Sequence, residues 1–427
     1  MNNVMNFGAY GDGLHKDTAA VQKAIDAGGT VFFPPGTYLC GTLYLRSNGG
    51  LELAAGATLL ASPDREDYNS DDFCPQNENC PSEHVSGAHF IVAVEEENIF
   101  IRGNGRIDGN RKSFTDKVRP DNPNLFAYAP WRPSQMVFFC ECRNISLNGC
   151  EYLNAPYWTI LLHGCENADI RALYIYNDRR TLNGDGLDID CCRNICVSQC
   201  RIETGDDCIT LRANNVPLKN KIPCERITVS DCILSTRCNA MRIGVGNGII
   251  RNCVFNNIIT FETMCAICIV SSYSANNSVE ISNLSFSNMQ LSAGRAIAIK
   301  TWHLRPLDND SGKLIRNISF NQVNCAGDHC SFIAGNTHKR IENVTFDNFN
   351  MEFSGGKHLT EDSDWRQMAP VEFTPAVFHV ENADNVRFSN INVHWMPGHA
   401  AEWQYGLSIK NSTEIHNDKC NFGKPAK

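Results

Sequence analysis

A short phrase that begins with asparagine and then alternates apolar with polar residues recurs along most of this chain. Its copies include Asn144-Ile-Ser-Leu, Asn194-Ile-Cys-Val, Asn317-Ile-Ser-Phe and Asn343-Val-Thr-Phe, and successive copies begin 21 to 42 residues apart. Alternation of this kind is typical of a β-strand, and Asn, Gly and Asp punctuate its ends. Strands repeated at such intervals, with variable loops between them, predict a parallel β-helix, in which each coil buries its apolar face by stacking on its neighbours.

The pattern predicts an all-β fold and one solenoid domain spanning residues 1–427, with a cap and the first coils in about 1–60. Asp17-Thr-Ala-Ala-Val-Gln-Lys-Ala-Ile-Asp-Ala-Gly-Gly29 predicts a short amphipathic capping helix, with Asp17 as N-cap and the two glycines as its end. A β-sandwich is the alternative, but it would favour shorter spacing and regular hairpin turns. Polar stretches near 62–90, 108–133 and 354–375 are expected to project from the stack as loops.

Eight of the 21 cysteines lie at fixed offsets within the same repeat. Four of them precede the first residue of a phrase by two positions: Cys142, Cys165, Cys192 and Cys224. Four others follow the first residue by six positions: Cys150, Cys200, Cys232 and Cys253. Equal offsets on successive coils predict vertical stacks of small buried thiols, so we expect free cysteines in a reducing compartment rather than disulfides or a zinc cluster.

Charge and hydropathy exclude some classes of function. The net charge is −9, the sequence pI is about 5.8, and Lys and Arg do not cluster, which argues against a nucleic-acid partner. No stretch approaches the roughly 20 apolar residues that span a bilayer, so no membrane partner is expected. The N-terminus carries neither a basic nor an apolar targeting segment, which leads us to expect a cytoplasmic location.

Acidic residues cluster in two nearby segments, Asn183-Gly-Asp-Gly-Leu-Asp188 and Gly205-Asp-Asp-Cys208. Asp185 and Asp207 are 22 residues apart, which is about one coil, so they are expected on adjacent coils roughly 4.8 Å apart, with Asp206 beside them. Carboxyl groups this close repel one another and separate their pKa values. Cleavage of glycosides needs such a set, with one carboxyl kept protonated and others ionised. A solvated acidic patch and a calcium site are the alternatives for the pair alone.

Seven motifs in order give the chain a family resemblance: Gly8-Ala-Tyr-Gly-Asp-Gly13, Asp17-Thr18, Phe33-Pro-Pro-Gly-Thr-Tyr38, Gly103-Asn-Gly-Arg-Ile-Asp-Gly109, Asn154-Ala-Pro-Tyr-Trp158, Asn183-Gly-Asp-Gly-Leu-Asp188 and Gly205-Asp-Asp-Cys208. Together they resemble the polygalacturonase-like glycoside hydrolases of family 28, from near the N-terminus to about residue 302. The resemblance implies a right-handed parallel β-helix and inverting hydrolysis without a metal or other cofactor. It also implies that Asp206 is the general acid and that Asp185 and Asp207 activate water.

The chain departs from the pectin-cleaving members of that family at two positions. Asn239 stands where they carry histidine, and Ala298 stands where they carry an arginine that binds the sugar carboxylate, whereas Lys300 is kept. Arg242 occupies the strand offset of Ala298 two coils earlier, so it is expected on the same face, as a substrate contact or as a structural partner of Asp188. The full set of expected substrate-binding residues is Asn239, Arg242, Lys300, Trp158, Trp302, Asp188 and Arg295.

The preferred hypothesis is therefore a hydrolase that cleaves O-glycosidic bonds of a plant-derived, pectic-type or related oligosaccharide from a chain end. The two departures lead us to expect a glycone other than plain polygalacturonate. A polysaccharide lyase on the same solenoid, using calcium and a Lys or Arg base, is a second hypothesis. A non-catalytic carbohydrate-binding β-helix is the third, and the cluster of three Asp residues argues against it.

Overall fold

The computed structural model describes residues 1–274, 277–302, 312–356, 374–398 and 402–423. They fall into two compact units, one of Met1–Ile209 with Asn215–Ile222 and the other of Thr210–Asn214 with Pro223–Lys427. The expectation of a single domain over the whole chain stays a prediction. Among these residues, no helix has both the length and the apolar character needed to cross a membrane.

The first unit is built from coils of three strands, each strand pairing in parallel with its counterpart on the next coil. The first sheet contains Leu43–Tyr44, Ile91–Val94, Val137–Cys140, Ile160–His163 and Leu187–Asp190. The second contains Asn2–Asn3, Thr30–Phe33, Gly49–Leu53, Glu97–Gly103, Arg143–Asn148, Glu166–Arg171 and Arg193–Ser198. The third contains Asp12–Lys16, Gly36–Cys40, Ala57–Ala61, Arg106–Asp108, Glu151–Leu153, Tyr174–Tyr176 and Arg201–Thr204.

The second unit is also built from parallel strands stacked coil on coil, but its strands are longer and bend from one sheet to the next. These bent strands are Cys224–Thr236, Ile249–Val270, Glu280–Lys300, Ile315–Gly327, Ile341–Phe353 and Ala383–Trp395. The shorter ones are Asn239–Gly246, Ser331–Ala334, Ala376–Glu381, Tyr405–Lys410 and Thr413–Asp418, with a small hairpin of Ser272–Ser274 and Asn277–Ser278. Strand Ile209–Ala213 spans the boundary between the units. The prediction of a right-handed parallel β-helix is confirmed.

The repeated asparagine marks the same bend on successive coils of the first unit. Asn144, Asn167 and Asn194 have φ between 56° and 59°, a left-handed conformation that Asn tolerates better than most residues. The side chain of each donates to the amide oxygen of the previous one, with Asn167 Nδ2 3.2 Å from Asn144 Oδ1 and Asn194 Nδ2 2.9 Å from Asn167 Oδ1. The amide ladder satisfies polar groups at each bend and fixes the register of the coils.

One repeat was placed wrongly by the sequence pattern. The phrase beginning at Asn247 predicts that Cys253 stacks over Cys232, but Cys253 pairs with Ile227, and Cys232 pairs with Ile258. The residue at the bend of this coil is Asn252, which has φ 57° and accepts from Asn283. The error arose because the chain offers two asparagines five residues apart, and periodicity alone did not distinguish them.

Stacked side chains fill the two interiors in different ways. In the first unit, the backbone N–H of Cys165 lies 3.3 Å from Cys192 Sγ, and both thiols are buried, as is Cys142. All 21 cysteines are free. In the second unit, the rings of Phe255, Phe286, Phe320, Phe346 and Phe388 form a continuous stack, with centroids 4.7 to 5.1 Å apart. Such stacks bury apolar area coil by coil, which is how a solenoid without a globular core is stabilised.

The capping helix spans Thr18–Asp26 and buries Val21, Ala24 and Ile25. Asp17 is at the N-cap position, but its carboxylate makes no capping bond to the helix. It accepts instead from the backbone N–H groups of Tyr10 and Gly11, at 2.6 and 3.0 Å. The predicted cap residue therefore ties down the preceding loop.

The segments between Ala61 and Ile91 and between Asp108 and Val137 contain short 3-10 turns and one isolated β-bridge each, Cys80 with Val85 and Val118 with Phe126, as expected of projecting loops. Those turns are Arg65–Asp67, Pro81–Glu83 and Arg111–Ser113, and a fourth, Val4–Phe7, precedes the capping helix. Most of the third expected loop, residues 357–373, lies outside the described residues.

Candidate active site

The three acidic residues predicted to carry chemistry lie together in the first unit. Backbone hydrogen bonds of 2.9 Å run from Gly186 N to Asp207 O and from Leu187 N to Cys208 O, so Asp185 and Asp207 lie on adjacent coils. Neighbouring strands are about 4.8 Å apart. Asp206 precedes Asp207 at a bend before strand Ile209–Ala213 begins. The one-coil spacing read from the sequence is thus the spacing of the structure.

The backbone around Asp185 is held from two sides. Thr159 donates to the carbonyl of Asp185 from both its N–H, at 2.9 Å, and its hydroxyl, at 2.7 Å. The buried amide of Asn177 donates to the carbonyl of Gly184 at 3.2 Å. Gly186 lies so near the next coil that an added Cβ would be 2.5 Å from the carbonyl oxygen of Cys208. Glycine at this position therefore allows the close approach of the two acidic turns.

The carboxyl groups differ in exposure. Asp185 is 6% exposed, whereas Asp206 and Asp207 are half-buried and open to solvent. The cluster therefore places carboxyl groups in unlike surroundings, as acid/base chemistry on a glycosidic bond requires.

Two other predicted residues of the first unit lie in or beside its first sheet. Asp188 pairs with Leu161 and is fully buried. Ile160 pairs with Leu187 on the next coil. Trp158 lies two residues before Ile160 and Asp185 lies two residues before Leu187, so Trp158 occupies the column of Asp185 one coil earlier. Its half-buried ring stacks on Tyr157 with centroids 5.1 Å apart.

Sequence reasoning missed a buried arginine that contacts this turn. Arg132, 2% exposed, donates from Nη1 to the carbonyls of Pro156 and Leu182 at 2.9 and 2.8 Å. Its Nη2 donates to the carbonyl of Glu83 and to Asn183 Oδ1, both at 2.9 Å. The partners come from three loop segments, so no periodic pattern marks them, and a charged residue inside a polar loop is the only trace in the sequence.

The predicted substrate-binding residues of the second unit lie in two columns of paired residues and at the end of strand Glu280–Lys300. Asn239, Cys265 and Arg295 pair in sequence on successive coils, and so do Arg242, Cys268 and Ala298. The inference that Arg242 shares the offset of Ala298 two coils earlier therefore holds in the structure. Lys300 follows Ala298 by two residues on the same strand, and Trp302 beyond it is buried.

Three cationic side chains of this unit are almost completely buried. Arg242, Arg295 and Lys300 are 3%, 2% and 0% exposed. Arg242 Nη1 lies 3.4 Å from Cys268 Sγ, so its guanidinium leans along the column toward the coil of Ala298. Arg295 donates to the carbonyl of Cys330 at 2.8 Å and lies over the Phe332 ring at 4.8 Å.

Burial has a marked effect on the charge of Lys300. Desolvation is the main cause that lowers its pKa to about 7, and the positive charges of Arg242 and Arg295 lower it further. The thiols of Cys268 and Cys265 act in the opposite direction. The ammonium is therefore easily deprotonated near neutral pH, and a nearby anion would favour the protonated form.

Comparison with known proteins bears on what these groups do. The family model described as glycosyl hydrolases family 28 matches residues 76–369. The chain belongs to the glycosyl hydrolases of family 28. Residues 1–46 also match a model described as rhamnogalacturonase A/epimerase, pectate lyase-like. Membership of the family confirms the resemblance read from the motifs; the roles assigned to individual residues stay predictions.

Similar members of family 28 include plant and bacterial proteins. The chain is 26% identical over 253 residues to the polygalacturonase QRT2 of Arabidopsis thaliana, covering 52% of this chain and 57% of that protein. It is 28% identical over 307 residues to an exo-poly-α-D-galacturonosidase of Dickeya chrysanthemi, covering 60% of this chain and 50% of the other. The chain thus spans about half the length of these two relatives.

Among solved structures, the family 28 exopolygalacturonase of Yersinia enterocolitica matches with a TM-score of 0.73 and 19% identity, covering 100% of this chain and 79% of the other. At this identity the likeness shows the fold. The substrate has to be argued from the residues of this chain.

Proposed function

We propose that this family 28 member hydrolyses O-glycosidic bonds of a pectic-type oligosaccharide, acting from a chain end with inversion at the anomeric carbon. The proposal depends on one observation, the position of Asp185 and Asp207 on adjacent coils with Asp206 beside them. Asp206 protonates the leaving oxygen, and Asp185 and Asp207 share the task of activating water. Inversion requires the water to attack from the face of the sugar opposite to the acid.

The buried cations of the second unit support an acidic glycone. Arg242, Arg295 and Lys300 bring three cationic side chains to neighbouring positions within three successive coils of this unit, and cationic groups are the usual partners of a carboxylate. Arg242 and Lys300 stay predicted substrate-binding residues, and we propose that they bind the carboxylate of such a sugar. The activity named for the Dickeya chrysanthemi relative, an exo-poly-α-D-galacturonosidase, supports a pectic substrate and the chain end as the point of attack. The departures at Asn239 and Ala298 still favour a glycone other than plain polygalacturonate.

The test is hydrolysis of galacturonic acid oligomers and of matched neutral oligosaccharides, followed by the anomeric signals of the first product in proton NMR. We expect release of a terminal uronic acid, and from an α-linked substrate the β-anomer appears first. Asp206→Asn and Asp207→Asn should each lower kcat by about 100-fold or more, because each removes a group needed in the transition state.

Asp169→Asn is a suitable control, because Asp169 is an exposed carboxylate on the second sheet of the same unit. It should leave the rate within about two-fold of the parent, as is usual for an isolated surface change. The proposal is wrong if the parent protein and Asp206→Asn are equally inactive on every substrate. Appearance of the α-anomer first would refute inversion alone.

A lyase reaction is the second candidate, and the lowered pKa of Lys300 is the observation that favours it. An amine with a pKa of about 7 is suited to remove a proton at neutral pH. A lyase would release an unsaturated product that absorbs in the ultraviolet, and chelation of calcium would abolish the reaction. Hydrolysis that persists in the presence of chelator, without any rise in absorbance, excludes this candidate.

A further inference from the structure

Arg132 joins three loop segments of the first unit at the turn that carries Asp185. Its guanidinium donates to Pro156 O, Leu182 O, Glu83 O and Asn183 Oδ1, at distances between 2.8 and 2.9 Å. Two of these acceptors belong to Leu182 and Asn183, which immediately precede the Gly-Asp pair of the turn. A planar fork with several fixed donors fits such a set of acceptors better than any other side chain.

The aromatic neighbour of Arg132 belongs to the same network. The Tyr157 ring lies under the guanidinium at 4.9 Å, and its hydroxyl donates to the carboxylate of Glu83. Burial raises the pKa of Tyr157 well above its usual value, and the charges of Glu83 and then Asp185 add to this effect. Tyr157 therefore stays protonated and remains a donor, which keeps the loop of Glu83 fixed against the turn.

Asn183 is the direct contact between Arg132 and the turn. It adopts φ 52°, a left-handed conformation that costs energy for most residues and that asparagine adopts more readily. The hydrogen bond from Arg132 to Asn183 Oδ1 fixes this side chain, and the bond to Leu182 O fixes the peptide before it. Asn177 holds the following peptide by donating to Gly184 O, so the backbone is held on both sides of the left-handed residue and the direction in which Asp185 leaves the turn is set.

We propose that Arg132 is a positioning residue, which holds the turn of residues 182–186 so that the Asp185 side chain is aimed for the reaction. This inference rests on the proposed function and adds a residue that neither the motifs nor the repeat pattern identifies. It has two separable parts. The hydrogen bonds supply geometry, and the charge supplies an electrostatic field that favours the carboxylate form of Asp185.

Two carboxyl groups, those of Glu83 and Asp185, face Arg132 electrostatically. Desolvation is the largest influence on the pKa of Arg132 and lowers it, whereas these two carboxyl groups raise it. The interaction with Asp185 is reciprocal, so a positive charge at position 132 stabilises the ionised Asp185. Since an arginine stays protonated at all working pH values, this field is constant and does not titrate with the reaction.

Arg132→Met tests both parts, and Arg132→Lys separates them. With Arg132→Met we expect kcat to fall by about 100-fold with KM changed less than about three-fold, because a small misplacement of a reacting group has an effect of this size. The acidic limb of the kcat/KM profile should move to higher pH, because the carboxylate form loses its stabilising charge. Arg132→Lys should keep the acidic limb of the parent profile, because the positive charge remains. It should still lose most of kcat, because an ammonium group cannot make the four hydrogen bonds that the planar guanidinium makes.

Arg111→Met is the matched control. Arg111 is a second buried arginine of the same loop; it donates to the carbonyl of Thr115 and lies 4.1 Å from the Phe126 ring. We expect Arg111→Met to lower the thermal midpoint as much as Arg132→Met does while leaving the pH profile unchanged. A purely structural role for Arg132 predicts that the two variants behave alike, and that result would overturn the proposal.

Asn183→Ala covers the case in which Arg132→Met does not fold. It removes one acceptor of Arg132 and places alanine in a left-handed conformation, and we expect kcat to fall at least about ten-fold with little change in KM. If Asn183→Ala and Arg132→Lys both keep the kcat of the parent, the proposal is wrong. Failure of the proposed function looks different, because then the unmodified protein itself releases no sugar.

Discussion

Replacing Lys300 by methionine should stabilise the protein and at the same time weaken its binding of an acidic sugar. The ammonium of Lys300 is fully buried, and burial is the main reason why its pKa falls from 10.5 to about 7. In the unfolded chain the same amine is solvated and keeps its ordinary pKa. Methionine has a similar length without the charge, so Lys300→Met removes the cost of burying the ammonium and keeps most of the packing.

The size and sign of this effect follow from the two pKa values. Between pH 7 and 10.5 the unfolded chain holds one proton more than the folded chain, so the free energy of unfolding rises with pH across that window. Below pH 7 both states are protonated, and the full cost is present. Each pH unit corresponds to 1.36 kcal/mol, so the cost at pH 6 is about 5 kcal/mol. The parent protein and Lys300→Met should therefore differ most at pH 6 and converge toward pH 10.

Urea unfolding followed by tryptophan fluorescence at several pH values between 6 and 10 measures this difference. Lys313→Met is the control, because Lys313 lies in the same unit with an exposed side chain that donates to the carbonyl of Asn247 at 2.6 Å. It should change stability by about 1 kcal/mol or less at every pH. The reasoning is refuted if Lys300→Met is no more stable than the parent at pH 6, or if the difference does not shrink as the pH rises.

The remaining predictions concern the structure that carries the site. Gly205→Ala should lower the free energy of unfolding by about 1 to 3 kcal/mol in a denaturant titration, because its Cβ would lie 2.4 Å from the carbonyl oxygen of Thr181. Phe320→Ala opens a gap in the stack of rings and should lower it by about 3 to 5 kcal/mol, and a smaller loss would mean that the neighbours close the gap. Cys196 is exposed and should react with Ellman's reagent in the native protein, whereas most other thiols should react only after unfolding. Fewer than about half of the 21 thiols reactive in the unfolded protein without reductant would contradict the free-cysteine structure.

Much of the fold could be predicted because a solenoid repeats its local rules. Each coil needs a residue that tolerates a left-handed bend, and a ladder of asparagine amides meets that need at Asn144, Asn167 and Asn194. The same repetition explains the error at the coil of Asn252. Two asparagines of this coil could each occupy the bend. Which of them does so depends on the strand register that buries the apolar residues, and this register is set by the neighbouring coils rather than by the local sequence.

Part of the candidate site could also be predicted from the sequence, and part of it could not. Asp185 and Asp207 could be placed together because each lies at the same offset of a coil, and one coil converts a sequence spacing into a strand spacing. Arg132 could not be found, because it acts through loops, and its acceptors at Glu83 and Leu182 are 49 and 50 residues away. Contacts between irregular loops depend on their tertiary path, which carries no period.

A stacked architecture also gives a physical reason why a lost side chain can be replaced from another coil. In a globular fold, a residue two strands away points to the same surface only by coincidence, whereas in a parallel stack every residue of one column faces the same side. Arg242 shares a column with Ala298, and its guanidinium already reaches the intervening Cys268. An arginine side chain spans about one coil, so Arg242 can bring a positive charge toward the position of Ala298 without any change of the backbone. Departures from the family are therefore best compared along each column of stacked residues rather than only at the aligned sequence position.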